Sequence, residues 1–131
     1  MIGLDTNVLL RLFLEDDLVQ VGRARHYFMT ATKNEPALVN PVVLAEFVWT
    51  VSKGLKLTKS RVVSLVDAML NSDDLKVAHH DCAERALTAF KTGSADFADY
   101  FLSYINIELG CTSTATFDLK ALTSPNFTSV P

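Results

Sequence analysis

Five carboxylates stand out because of where the chain places them. Asp5 ends the short apolar run Met1 to Leu4, and Asp118 ends the Thr-rich run Cys111 to Phe117. Glu46 lies in a helical stretch that follows the buried run Ala37 to Val39, while Asp96 and Asp99, three apart at the start of another helix, share one face. In open parallel sheets, ligands bind beyond the carboxyl ends of the strands, so acids just after strands are the first candidates for a site. Grouped carboxylates repel one another unless a cation sits among them, and no Lys or Arg immediately flanks Asp5, Glu46, Asp96 or Asp99. All-oxygen donors without His or Cys favour Mg2+ or Mn2+ over zinc. Such a site suits phosphodiester hydrolysis, in which a bound divalent ion lowers the pKa of an attacking water and stabilises charge on the leaving oxygen.

Strand and helix must alternate to position these acids, and the sequence reads that way. A strand over Met1 to Leu4 passes at Asp5 into a helix from Asn7 to Leu14, capped by Thr6. Asp16 and Asp17 open a second helix that the polar Thr32 to Glu35 closes. After the Ala37 to Val39 strand, Asn40 caps a helix that has Pro41 at its first position, where a missing N–H costs nothing, and that runs to Ser52. Thr58 caps a helix whose Val62, Leu65, Val66, Met69 and Leu70 follow the 3.6-residue period; Leu75 to Ala78 is the next strand. Asp81 opens a helix stopped at Gly93, and Ser94 or Asp96 caps another that ends at Gly110. Cys111 to Phe117 is a strand followed by a short helical turn, and Phe127 to Val130 is an edge strand. This alternation predicts an α/β class with a mainly parallel sheet covered on both faces.

The same residues carry a resemblance. Ile2-Gly3-Leu4-Asp5-Thr6-Asn7-Val8-Leu9, Glu46 in Val43-Leu44-Ala45-Glu46-Phe47, Gly93-Ser94-Ala95-Asp96-Phe97-Ala98-Asp99 and Thr116-Phe117-Asp118 resemble a PIN domain over essentially the whole chain. Their order and spacing are similar to those of the VapC-type toxins of bacterial toxin-antitoxin pairs. The resemblance implies a PIN-like three-layer fold, with a mainly parallel central sheet flanked by helices, as a single nuclease domain over residues 1–131. It further implies a metal-dependent endoribonuclease cleaving structured RNA, tRNA or ribosomal RNA, that forms a homodimer and is inhibited by a cognate VapB-type antitoxin. Carried over by position, Asp5, Glu46, Asp99 and Asp118 match the catalytic, metal-holding acids. Asp96 matches an additional metal-binding acid, and Thr6 and Thr116 match supporting hydroxyls.

Composition sets the remaining bounds. The chain has 131 residues, 49% hydrophobic and 21% charged, which suits one folded domain and not a disordered chain. Its net charge of -3 excludes nucleic-acid binding through bulk positive charge, yet without the five acids the rest holds twelve basic residues against ten acidic ones. Lys53, Lys56, Lys59 and Arg61 place four of those twelve within nine positions, either a solvated helix end or an RNA-backbone contact. Cys82 and Cys111 lie in no ligand spacing, so neither a disulfide framework nor a zinc site is expected, and His26, His79 and His80 read as ordinary residues. The apolar start carries Asp5 and Arg11 without a basic leader, which fails as signal peptide and membrane span; the expected location is the cytoplasm.

Rival readings remain open at this level. Asp5, Asp96 and Asp118 are also common helix-cap residues, and Glu46 can sit on a solvated face. A phospho-receiver-like signalling domain has a similar size, but it needs an acidic pair after the first strand, where this chain has only Asp5. An aspartyl-nucleophile hydrolase needs Asp-x-Asp, where this chain has Asp5-Thr6-Asn7. A catalytically silent PIN scaffold is the third alternative; loss of a core acid would mark it, and none is missing.

Overall fold

The computed structural model describes residues 1–14 and 18–131. Asp16 and Asp17, expected to open the second helix, lie outside the described residues. The chain divides into two compact units, Met1–Ala78 and His79–Pro131.

In the first unit the expected opening strand reduces to a single parallel bridge, Gly3 to Leu38. Two hydrogen bonds make it: Leu4 N–H donates to the Leu38 carbonyl at 3.0 Å and Leu38 N–H to the Ile2 carbonyl at 2.7 Å. Helix α1 (Thr6–Phe13) starts one residue earlier than expected, and its cap is Asp5, not Thr6. Asp5 Oδ1 accepts from Val8 N–H at 2.9 Å, satisfying one of the amides that a helix start leaves unpaired. Helix α2 is described over Leu18–Ala31, followed by strand β1 (Ala37–Val39).

Asn40 caps α3 (Pro41–Trp49) by accepting from Val43 N–H at 3.0 Å, with Pro41 in the first turn. The α-helix stops three residues short of Ser52. The chain widens there into a π-helical turn, Thr50–Gly54, in which Leu55 N–H reaches the Thr50 carbonyl at 2.8 Å. Thr58 caps α4 (Lys59–Leu70), whose Val62, Leu65, Val66, Met69 and Leu70 are buried in one stripe. Strand β2 (Leu75–Val77) then pairs parallel with β1, Ala37 opposite Leu75 and Val39 opposite Val77, all four buried. A parallel pair needs a long crossover, and α3 and α4 supply it. Phe13 meets Phe47 edge to face at 6.2 Å between ring centres, fixing α1 against α3.

The second unit is built on a helical hairpin, α5 (His80–Thr92) and α6 (Phe97–Glu108). The helices run antiparallel, because Phe90 near the end of α5 packs on Phe97 at the start of α6, while Cys82 near the start of α5 touches Glu108 at the end of α6. Their tight connection depends on Gly93. A Cβ there would overlap the Tyr100 hydroxyl oxygen and stand 2.7 Å from its Cζ and 2.8 Å from the Ala89 carbonyl. That hydroxyl accepts from Ala95 N–H at 3.2 Å, holding the loop that leads to Asp96.

After Gly110, whose φ of 105° ends the hairpin in the left-handed region, strand β3 covers Thr114–Thr116, shorter than the expected Cys111 to Phe117. Strand β4 (Phe127–Ser129) pairs parallel with β3, Thr114 opposite Phe127. Asn106 Nδ2 donates to Thr114 Oγ1 at 2.9 Å and Asn126 Nδ2 to Ser103 Oγ at 3.2 Å, tying this strand pair to α6. The elements as a whole are those of an α/β protein, with both strand pairs parallel.

Candidate metal centre

Each unit carries its own share of the predicted acids. In the first, Asp5 is exposed and caps α1, and the next residue, Thr6, donates from Oγ1 to Glu46 Oε2 at 3.3 Å. The helix cap and the α1–α3 packing thereby place Asp5, Thr6 and Glu46 together. Helix α3 explains why Glu46 is conspicuous: Val43, Leu44, Phe47 and Val48 are buried, leaving Glu46 on an outer face with Val42 and Trp49 one turn to either side, each 64% exposed. Phe47 is core and Trp49 is not.

In the second unit Asp96 stands at the N-cap of α6 without making a side-chain cap bond, and Asp99 lies half-buried in the first turn. Asp118 leaves β3 through a turn held by two hydrogen bonds: its own N–H donates to Thr116 Oγ1 at 2.9 Å, and its Oδ1 accepts from Lys120 N–H at 2.8 Å. Burial, followed by the charges of Asp118 and Asp96, raises the Asp99 carboxyl above its usual range; a backbone hydrogen bond opposes the rise without cancelling it. An acid at a helix N-terminus would ordinarily be favoured in its charged form, so the rise measures how strongly desolvation and neighbouring negative charge act here.

Lys53, Lys56, Lys59 and Arg61 are all exposed, running from the π-helical turn into the first turn of α4, with Lys56 in the left-handed region at φ 54°. A cavity of about 410 Å³ between α1 and α2 is lined by Asn7, Arg11 and Arg23 among others, a basic recess that the sequence pattern did not disclose.

Among the described residues, two groups bring three metal-ligating atoms within 4.8 Å of one another: His79, Cys82 and Glu108, and His80, Asp81 and Glu84. Neither contains a predicted acid. Asp96, Asp99 and Asp118 are not in either group. His79, read from the sequence as an ordinary residue, has Glu108 as its partner and lies in the first of these groups.

The PIN domain family model matches residues 2–122. The chain belongs to the PIN domain family. PIN domains are commonly nucleases, and PIN nucleases generally use divalent metals. The matched span includes Asp5, Glu46, Asp96, Asp99 and Asp118. No curated protein matches the chain. Among the described residues, no helix is long and apolar enough to cross a membrane.

Proposed function

We propose that this PIN domain is a Mg2+- or Mn2+-dependent endoribonuclease acting as a VapC-type toxin, which cleaves structured RNA, tRNA or ribosomal RNA, and is silenced by a VapB-type antitoxin. In this reading residues 1–131 form one nuclease domain of three-layer architecture that works as a homodimer in the cytoplasm. The observation that carries it is Asp99: a half-buried carboxyl beside Asp118 and Asp96, raised by desolvation and by their charge. The acids suit such an ion, since Asp5 and Glu46 in the first unit and Asp96, Asp99 and Asp118 in the second each offer only carboxylate oxygens, the hard ligands that Mg2+ and Mn2+ take.

When bound, such an ion supplies an activated water and charge stabilisation at the leaving oxygen. The chain's own residues do the positioning. Thr6 Oγ1 holds the Glu46 carboxylate, Thr116 Oγ1 holds the Asp118 backbone, and the Asp5 cap fixes where α1 begins. Lys53, Lys56, Lys59 and Arg61 are free of burial and suited to phosphate contacts that steer an RNA without reading its bases.

The test is cleavage of a total tRNA and ribosomal RNA pool by dialysed protein. Parent protein with Mg2+ should cut and should stop in excess chelator. Asp99→Asn, still folded, should cut more slowly by over about 100-fold, beyond the usual cost of losing an outer partner of a metal site. Full activity in chelator, or an undiminished Asp99→Asn variant, would remove the metal-dependent reading.

A further inference from the structure

We propose that His79, Cys82 and Glu108 form a second metal site, selective for zinc and separate from the acidic residues. The site is defined by geometry within one helical hairpin and does not rest on the nuclease reading. His79 closes the turn into α5 with a left-handed backbone, φ 54° and ψ 46°, and its Nδ1 lies 3.3 Å from Glu108 Oε1. One turn into α5, Cys82 is buried, 5% exposed, and its Sγ donates to Glu108 Oε2 at 2.7 Å. The three ligand atoms all fall within 4.8 Å of one another.

The His79–Glu108 separation suits zinc, while the 2.7 Å Cys82–Glu108 contact is the thiol hydrogen bond that a bound ion would replace. A tetrahedral Zn2+ with nitrogen and oxygen ligands at about 2.0–2.2 Å holds them about 3.3–3.5 Å apart, which is the present separation of His79 Nδ1 and Glu108 Oε1. A thiolate, an imidazole and a carboxylate form a mixed donor set that zinc accepts and Mg2+ does not. One thiolate and one carboxylate also neutralise the ion's two charges. On binding, the Cys82 S–H bond breaks, its proton leaves to solvent and the Sγ–zinc bond takes its place, with no change of oxidation state.

Beside the group lies a cavity of about 250 Å³ that Cys82 and Glu108 line with Asp81, Arg85, Tyr104 and Ile107, room for a water or exchangeable group as a fourth ligand. Three protein ligands with one open position is the arrangement of zinc that keeps a water or an exchangeable group. The neighbouring group of His80, Asp81 and Glu84 lacks both a thiol and a buried member, so it is the weaker zinc ligand set. Helix α6 sets the two ends of the hairpin apart: Asp99 and Glu108 lie nine residues apart on it, about 14 Å at 1.5 Å per residue.

The experiment is titration of metal-free protein with Co2+ as a spectroscopic stand-in for Zn2+, with Zn2+ affinity measured by competition against a chromophoric chelator. One equivalent of Co2+ should give a thiolate charge-transfer band that Zn2+ removes and millimolar Mg2+ leaves intact. Cys82→Ser should abolish the band, and Glu108→Gln, a change at an exposed residue that spares the fold, should weaken Zn2+ affinity at least tenfold. Cys111→Ser and Asp99→Asn should leave both unchanged. Absence of the band in the folded parent, retention of Zn2+ affinity in both Cys82→Ser and Glu108→Gln, or loss of affinity in His80→Ala alone would each overturn the proposal.

Discussion

The two ends of the α5–α6 hairpin present metal-ligating side chains of opposite character. At the α6 start, Asp96 and Asp99 stand near Asp118, all carboxylates, and burial, followed by the charges of Asp118 and Asp96, keeps Asp99 above its ordinary pKa. At the α6 end, Glu108 accepts hydrogen bonds from Cys82 and His79, which hold its carboxyl below the usual range. Burial, followed by that same contact with Glu108, pushes the Cys82 thiol up to about 11. One end is therefore a group of carboxylates that raise one another's cost of ionisation, and the other a protonated thiol and carboxylate satisfied by each other. The antiparallel hairpin alone brings Cys82 to Glu108, whereas the acidic end also needs Asp118 from the turn after β3.

Gly93 offers the strongest way to break this comparison without touching a ligand. Gly93→Ala drives a methyl into the Tyr100 hydroxyl and the Ala89 carbonyl, at an overpacking cost of about 1–3 kcal/mol. Chemical denaturation should report that loss. Because Tyr100 holds the Ala95 amide just before Asp96, the variant should lose its Mg2+ response while keeping its Zn2+ affinity, and equal damage to both would show that the two ends are not separable.

A smaller effect sharpens the contrast between structural and chemical acids. Asp5 and Asp96 both occupy helix N-caps, yet only Asp5 makes the side-chain cap bond. Asp5→Ala should cost about 0.5–2 kcal/mol and Asp5→Asn far less, because asparagine caps as well as aspartate does. Asp96→Ala should cost less than Asp5→Ala in the same denaturation series. Equal losses at the two positions would make Asp96 a cap like any other.

Local chemistry was legible in the sequence, and long-range pairing was not. Asn40 with Pro41, Thr58, and the turn at Asp118 need only a few neighbouring residues to work, and each stands as the pattern indicated. Thr6 and Asp5 are both good caps, so pattern alone misplaced the first cap by one residue. The Thr-rich run from Cys111 looked strand-like throughout, but pairing with β4 exists only over Thr114–Thr116. Glu108 joins Cys82 across 26 residues, through helix packing that no local motif announces; the only trace in the sequence was a His and a Cys three apart, as His79 and Cys82. The raised Asp99 likewise required knowing that it is half-buried beside Asp118.

Thermal melting of the metal-free protein, with and without Mg2+, tests most directly whether the acids around Asp99 are built for a cation. With its carboxyl raised in the fold, Asp99 binds its proton more readily folded than unfolded, so the metal-free protein loses stability as pH rises from the unfolded carboxyl pKa through the raised one. Above the raised pKa the penalty is fully present, and Asp99→Asn removes it. The predicted result is a metal-free melting temperature higher in Asp99→Asn than in the parent, and a further rise with Mg2+ in the parent that the variant has lost, since binding to the folded state alone stabilises it. A parent indifferent to Mg2+, with Asp99→Asn melting at a lower temperature, would contradict it.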